Sequence, residues 1–256
     1  MPSRLLSATA ACLLSLALQA QASVQRDDAR AYASADGRLL YTESHWVDES
    51  ASPAKRLVLY RCPGGQAFAR KLVSASGSAS APDFAFEDGR DGYRQGVSLL
   101  AGRRHGYLQQ AGRPELRYPL EVPADGVIDA GFDAAVRAHW HALSSGEEVR
   151  LRFLVPGRKR FYPVRIRRIG ATTWNGIAAE RLRMDLDQWY GFAVPPVHLV
   201  YARADRRLLE FSGTGDVRDD RGRNQQVRIA FAPASRQVAA AEMAAASAEK
   251  LTACKD

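Results

Sequence analysis

The chain has 256 residues, 46% hydrophobic and 25% charged, with a formal net charge of +8 at pH 7. That composition is typical of globular proteins, and the length suffices for one sizeable domain, or two at most, without disulfides. No period of about 20 to 50 residues recurs, which argues against a solenoid or a propeller. The basic balance favours anionic envelope surfaces as partners over nucleic acid.

Residues 1–22 have the three parts of a cleavable signal peptide. Arg4 supplies a positive charge, Leu5 to Leu18 is an apolar run, and Ala20-Gln21-Ala22 is a small-x-small cleavage motif. A retained membrane anchor is the alternative, but the run is shorter than the roughly 20 residues of a spanning helix. We therefore expect cleavage before Ser23 and a periplasmic protein.

The chain contains three cysteines, of which two remain after cleavage. Cys12 resembles a lipobox cysteine, but the position three residues earlier is Thr9 instead of leucine, and we expect Cys12 to leave with the signal. In an oxidising compartment, Cys62 and Cys254 either form one disulfide or remain as free thiols.

Residues 23–36 are predicted to be a polar lead-in, and residues 37–232 to form a single β-rich domain. Residues 74–82 are a low-complexity loop, and we expect the lowest order in the Gly- and Arg-rich region 87–112. Strand-like period-two patterns cover Leu39 to Val47, Arg56 to Cys62, Ala67 to Val73, Val149 to Val155, Tyr162 to Thr173, Ile177 to Leu186, Val197 to Ala202, Arg207 to Ser212 and Gln226 to Phe231.

One helix is predicted inside this domain. Apolar residues recur at helical spacing, Asp129 is a suitable N-cap, and Gly146 is a suitable end. The apolar residues are Phe132, Val136, Trp140 and Leu143. The predicted fold class is therefore mainly β, a curved antiparallel sheet resembling a half-barrel, with one packed α-helix.

The Ala-rich tail, residues 233–256, has no clear apolar stripe. It is either a loose helix, since alanine is the best helix former, or disordered.

Arginines alternate with apolar residues from Val149 to Arg168 and from Ile177 to Leu186, which indicates strands with one wet face. Asn175-Gly176 is a strong two-residue hairpin signal. A bulge at Arg167-Arg168 keeps the faces consistent, and it pairs Ile166 with Met184, Val164 with Leu186, Ile169 with Leu182, and Arg165 with Asp185 as an ion pair.

Arg158, Lys159 and Arg160 are different, because they occupy a turn where no strand pairing requires them. They are candidates for docking on an anionic surface, although an ordinary solvated turn is the simpler interpretation.

Three aromatic residues are concentrated in the irregular segment Gln188 to Pro196. Trp189, Tyr190 and Phe192 either close the core as a lid or form the rim of an apolar cavity. Together with Phe132, Val136 and Trp140 of the predicted helix, they form a candidate site for a hydrophobic ligand.

The sequence offers no recognisable catalytic or metal motif, and we expect neither an enzyme, a metal nor a cofactor. His139 and His141 are two residues apart on the predicted helix, which prevents both from binding one ion. Nucleophile, P-loop and zinc-protease motifs are missing. A calcium site at Asp216, Asp219, Asp220 and Asn224 is an alternative to the hairpin loop that this segment indicates.

Several short segments resemble an uncharacterised family of exported proteobacterial proteins. They include Tyr60-Arg-Cys-Pro-Gly-Gly65, Asp129-Ala-Gly-Phe-Asp133, Phe153-Leu-Val-Pro156 and Leu208-Leu-Glu-Phe-Ser-Gly213. The resemblance spans about Gly37 to Phe231, and it implies no activity. The order of strands, one helix and more strands is also distantly similar to LolA-like periplasmic half-barrels.

Three functional hypotheses follow. The first is a non-enzymatic carrier of a hydrophobic or lipid-like ligand, and the second is a protein that docks a basic face on anionic lipid or cell wall. The third is an enzyme of unrecognised type. A deep apolar cavity would favour the first, and a filled core with a flat basic patch the second. A polar cleft with converging acids would favour the third.

Overall fold

The computed structural model describes residues 23–254, so the signal peptide predicted for residues 1–22 lies outside the described part. The helices are α1 (Gly131–Ala138), α2 (Trp140–Ser145) and α3 (Ala240–Ala248). The strands are β1 (Ser23–Ala33), β2 (Leu39–Asp48), β3 (Lys55–Arg61), β4 (Ala67–Ser74), β5 (Asp83–Asp88), β6 (Tyr93–Leu100), β7 (Arg103–Gln109), β8 (Leu116–Pro119), β9 (Gly126–Val127), β10 (Val149–Val155), β11 (Arg160–Trp174), β12 (Ile177–Leu186), β13 (Val197–Ala202), β14 (Leu208–Arg218), β15 (Asn224–Phe231) and β16 (Arg236–Ala239).

The strands form one long, open and curved sheet, which confirms the predicted half-barrel class. Its order is β8-β7-β6-β5-β4-β3-β2-β1-β15-β14-β13-β12-β11-β10-β9, and β16 adds to β1. The short β9 is parallel to β10, whereas the other neighbours are antiparallel. The curvature brings the sheet ends together, where the Tyr118 hydroxyl of β8 donates to the Pro156 carbonyl at 3.4 Å.

The inner face of β2–β6 is packed with aromatic rings. The rings of Tyr41, Tyr60, Phe68, Phe86 and Tyr93 meet with centroids 5.7 to 6.3 Å apart, mostly edge to face. Such pairs add to the free energy gained by burying the rings. They form the core of this half of the half-barrel.

The other half of the inner face, from β10 to β13, is covered by α1 and α2. The predicted single helix is broken at His139, whose φ of −96° and ψ of 14° separate the two helices. Gly146 ends α2 in the left-handed conformation, as predicted. The predicted N-cap Asp129 is wrong: Ala130 takes that position, because the Asp129 carboxylate binds Lys71 instead.

The Asn175-Gly176 hairpin and its register are confirmed. Ile166 faces Met184, Val164 faces Leu186, and Trp174 faces Ile177. Both turn residues have positive φ, 45° for Asn175 and 83° for Gly176, as this turn requires.

The bulge lies slightly further along than predicted. The register shifts between Arg168 and Gly170, so Ile169 is the extra residue and Arg168, rather than Ile169, faces Leu182. Gly170 has a φ of 147°, a conformation that glycine adopts far more readily than other residues, and this places the bulge beside it.

The predicted Arg165–Asp185 ion pair is wrong, although the two residues do face each other. Asp185 binds Arg183 of its own strand at 2.7 Å, and Arg165 lies 3.9 Å from Asp187. Asp185 pairs with Arg183 because Arg183 is the nearer arginine and lies on the same strand. The neighbouring arginines of this region are half-buried or exposed, as expected for a wet face.

Two segments are more ordered than the sequence indicates. The predicted lead-in contains β1, which pairs with β2, β15 and β16 in the middle of the sheet. The region 87–112, where the lowest order was expected, carries β6 and β7. Their polar residues are compatible with strands because strand pairing satisfies the backbone regardless of side chain.

The Ala-rich tail is also ordered and packs against the outer face of the sheet. Helix α3 buries Ala246 against a cluster that includes Trp46, Leu57 and Leu59. A disulfide joins Cys62, which follows β3, to Cys254 at the end of the tail. No helix within residues 23–254 has the length and apolar character needed to cross a bilayer.

Candidate functional site: an amphipathic cavity within the half-barrel

A cavity of about 290 Å³ lies between the inner face of the sheet and α1. Its apolar wall comes from α1, β10, β12, β13, β14 and β15. This wall includes Phe132, Phe153, Met184, Val197, Phe211 and Phe231. The cavity volume is close to the lower end of the range of small-molecule sites, roughly 300–1,000 Å³.

The other end of the cavity is charged. Lys71 of β4 donates to Asp129 at 2.7 Å and also binds Asp216 of β14. The side chains of Lys71 and Asp129 are only 7% and 8% exposed, whereas that of Asp216 is 42% exposed. The Asp129 Oδ2 atom is buried and has no hydrogen-bond partner among residues 23–254.

Charge pairing, not burial, controls the protonation of Lys71. Burial by itself would lower the pKa of Lys71, but Asp129 and Asp216 outweigh burial and raise that pKa well above its ordinary value. Burial raises the pKa of Asp129, although the Lys71 ammonium opposes this shift. Lys71 therefore stays a cation at neutral pH.

Two tyrosines border the charged end. Tyr41 of β2 and Tyr60 of β3 line the cavity, and their rings are 5.9 Å apart in an edge contact. Burial raises the pKa of both phenols well above the ordinary value, because the charged phenolate would lose its hydration. Both hydroxyls are therefore neutral and can act as hydrogen-bond donors and acceptors.

A second polar pair lies on β2. Glu43 Oε2 and His45 Nε2 are 2.6 Å apart, and both residues line the cavity. The His45 ring also packs against Phe231, with centroids 5.3 Å apart. The inner wall of β2 is thus polar where most strands of the half-barrel present apolar residues.

The cavity continues into a polar recess of about 440 Å³ beside α1. Asp133 of α1 lies between two arginines, 3.8 Å from Arg56 and 3.2 Å from Arg137. The Tyr201 hydroxyl donates to the same carboxylate at 3.2 Å. All three charged residues line both the cavity and the recess.

The structure separates the six residues of the predicted hydrophobic site into two groups. Phe132 lines the cavity, Val136 is fully buried beneath α1, and Trp140 packs edge-on against Tyr201 with centroids 6.0 Å apart. The second group, Trp189, Tyr190 and Phe192, lies in the connection between β12 and β13. Trp189 and Phe192 are 85% and 87% exposed and do not line the cavity.

The predicted anion-docking residues form an exposed turn between β10 and β11. Arg158, Lys159 and Arg160 are all exposed. None of them has a carboxylate partner within the described part of the chain. The Arg160 guanidinium lies over the ring of Tyr162, 4.7 Å from its centroid.

The charged end of the cavity did not emerge from the sequence. The residues missed are Tyr41, Glu43, His45, Lys71, Asp129 and Asp216. A signal was present in β2, where Tyr41, Glu43, His45 and Val47 alternate on one face, but charged positions in strands normally mark the wet face. Asp216, considered above for calcium, binds Lys71, and Asp219 closes its hairpin turn by bonding Arg223.

Comparisons with known proteins find similarity only at the level of structures. No protein-family model matches the chain, and no curated protein matches it. A β-barrel-like protein of a domain of unknown function, DUF1849, from Brucella abortus is similar with a TM-score of 0.47 and 7% identity, over 86% of this chain and 98% of that one.

Two further structures show weaker similarity. A DUF1329 family protein from Desulfovibrio piger has a TM-score of 0.32 and 8% identity, over 85% of this chain and 86% of that one. A putative outer membrane lipoprotein-sorting protein domain from Vibrio parahaemolyticus has a TM-score of 0.25 and 8% identity, over 84% and 85%.

Proposed function

We propose that the protein binds and carries a small hydrophobic or lipid-like ligand in the periplasm. The observation that supports this proposal most directly is the cavity of about 290 Å³, whose aromatic and aliphatic wall lies between the sheet and α1. Sites for small molecules are concave and mostly apolar, with a few placed polar groups. The cavity combines both features.

The cavity's two ends favour an amphipathic ligand. The apolar part of the ligand lies against Phe153, Met184 and Phe211, and its polar group lies near the Tyr41 and Tyr60 hydroxyls and the half-exposed Asp216 carboxylate. A polar group buried there regains hydrogen bonds that it loses on leaving water. A purely apolar ligand would offer no hydrogen bond to the polar groups at that end of the cavity.

The state of the charged groups favours binding over catalysis. A lysine that acts as a nucleophile or base needs a lowered pKa, whereas the pKa of Lys71 is raised well above its ordinary value. The pKa values of Tyr41 and Tyr60 are raised as well, so neither phenol is a base near neutral pH. These residues accordingly serve ligand binding.

Filling the cavity should abolish binding. Val197→Trp places an indole into the cavity wall, and we expect it to weaken binding of a fluorescent fatty-acid probe by roughly tenfold or more. The matched control is His198→Trp, because His198 is the next residue of β13 and points to the opposite face of the sheet. This control should bind the probe like the wild type.

The experiment uses the chain from residue 23 onward, purified from cells. An organic extract of the purified protein is analysed for lipid by mass spectrometry. Binding of the fluorescent probe is then titrated on the delipidated protein. Lipid above background and saturable probe binding support the carrier function. Their absence from a folded wild-type sample, or equal binding by Val197→Trp, contradicts it.

A further inference from the structure

The connection between β12 and β13 exposes two large aromatic side chains to solvent. Trp189 and Phe192 are 85% and 87% exposed, the highest values among the exposed large hydrophobic residues. Rings that remain in water forgo the free energy that burying them would gain. Val194 of the same connection is also exposed, and contiguous exposed apolar patches mark protein or membrane interaction sites.

The exposed rings are held in place by their own loop. Three backbone hydrogen bonds close the turn, from Gly191 to Gln188, from Ala193 to Tyr190 and from Val194 to Gly191, at 2.8, 3.0 and 3.1 Å. Gly191 approaches the end of β12 so closely that an added Cβ would lie 2.2 Å from the Leu186 carbonyl oxygen. The loop therefore presents its aromatic side chains without further folding.

The basic turn of Arg158, Lys159 and Arg160 lies at the same end of the sheet. Strands β10 and β12 both pair antiparallel with β11, so they run in the same direction and end at the same edge. The basic turn follows β10. The connection that carries Trp189 and Phe192, residues 187–196, follows β12 and is called the aromatic loop here.

The register shows that the basic turn extends beyond the end of β12. Leu186, the last residue of β12, faces Val164, whereas Arg160 begins β11 four residues earlier. The Asp187 N–H then donates to the Pro163 carbonyl at 2.8 Å, which keeps the aromatic loop beside β11. Uncompensated cations and exposed aromatic rings thus share one corner of the molecule.

We infer that this corner docks the protein on an anionic lipid bilayer, with Trp189 and Phe192 entering the interface and Arg158, Lys159 and Arg160 binding lipid phosphates. Tryptophan favours the headgroup level of a membrane because its ring is apolar and its N–H is polar. Arginine and lysine side chains close to an anionic lipid surface are attracted to it electrostatically. The only carboxylate of the aromatic loop, Asp187, already faces Arg150 at 3.6 Å and Arg165 at 3.9 Å.

Bilayer docking goes beyond ligand binding and does not require it. Met184 and Val197, which lie just before and after the aromatic loop, also line the cavity. A protein docked through this loop would hold one end of its apolar cavity close to the membrane. Docking at this corner would thus bring a carrier and its lipid source together.

The test uses the chain from residue 23 onward and vesicles of phosphatidylcholine with or without anionic phosphatidylglycerol. The wild type should sediment with the anionic vesicles, more weakly at high salt, and its tryptophan emission should shift to the blue. Trp46 is buried and Trp140 and Trp174 are partly buried, so the shift should come from Trp189. Trp189→Phe should therefore keep binding but lose most of the shift.

Two sets of substitutions separate the contributions. We expect Trp189→Ala with Phe192→Ala, and separately Arg158→Gln with Lys159→Gln and Arg160→Gln, to weaken binding by roughly tenfold or more. The matched control is Ile169→Ala, an exposed apolar residue of β11 that lies nine residues along the strand from Arg160. That control should bind like the wild type.

The outcomes are distinct. Wild-type binding that is equal with and without phosphatidylglycerol, or absent from both, overturns the inference. So does full binding by the aromatic double variant, or an equal loss in the Ile169→Ala control. Circular dichroism confirms that each variant is folded, as expected for changes to exposed side chains. Loss of fatty-acid probe binding with intact docking would refute the carrier function alone.

Discussion

Replacing Lys71 with methionine should destabilise the fold by about 3–5 kcal/mol, the usual cost of removing one partner from a buried ion pair. Lys71 is the only cation bonded to both Asp129 and Asp216 within residues 23–254. Without it, the buried Asp129 carboxylate loses its ammonium partner and faces a second carboxylate. Urea denaturation monitored by circular dichroism measures the change.

Two controls isolate the charge effect. Lys55→Met removes an exposed lysine of β3 and should change stability by less than about 0.5 kcal/mol. Adding Asp129→Asn and Asp216→Asn to Lys71→Met removes all three charges, and we expect this to recover part of the lost stability. Equal stability of Lys71→Met and Lys55→Met would show that the charges at this end of the cavity do not depend on one another.

The deficit of Lys71→Met should also depend on pH. Burial already raises the pKa of Asp129, and loss of the ammonium raises it further. In the folded variant, Asp129 therefore takes up a proton at a higher pH than it does in the unfolded chain. A group with a higher pKa in the folded state than in the unfolded one stabilises the fold as the pH falls. The difference from the wild type should therefore be smaller at about pH 5 than at about pH 8.

The parts of the fold that follow from local rules were predictable. Asn175-Gly176 requires a two-residue turn, and the alternation of apolar residues on both sides of it fixes which residues face each other. Only the bulge position moved, because Gly170 offers a conformation that Arg167 and Arg168 do not.

Strand β1 was missed because its side chains are polar on the face that the tail covers. Arg26 lies over the Trp46 ring at 4.8 Å and bonds Glu242 of α3. A residue about 200 positions away in the sequence thus allows a charged strand to lie in the middle of the sheet. The residues close to β1 in the sequence give no information about such a distant partner, so they do not predict the strand.

The charged end of the cavity was unpredictable for the same reason. Lys71 is separated from Asp129 by 58 residues and from Asp216 by 145. Each of them alone resembles an ordinary surface charge. Only the curvature of the folded sheet places them together, and their burial then depends on mutual pairing.

Replacing Cys62 and Cys254 together with serine should destabilise the protein by about 2–5 kcal/mol. The disulfide joins residues 192 positions apart, so it restricts the unfolded chain over most of its length. The expected measurement is a lower urea midpoint for the double variant, with the same shift for the wild type under reducing conditions.

The loss of stability should appear first in the tail, which the disulfide holds against the outer face of β3 and β4. After reduction, the tail keeps the packing of Ala246 in the cluster with Trp46 and Leu57, and the ion pairs of Glu242 with Arg26 and of Glu249 with Arg61. Of the α3 residues only Ala246 is buried, so amide exchange in residues 240–252 should increase more than in β11 and β12. Glu249→Gln, which removes the ion pair but keeps the bridge, is the matched control and should cost less than about 1 kcal/mol. Unchanged exchange in the tail of the double serine variant would show that packing alone holds α3 on the sheet.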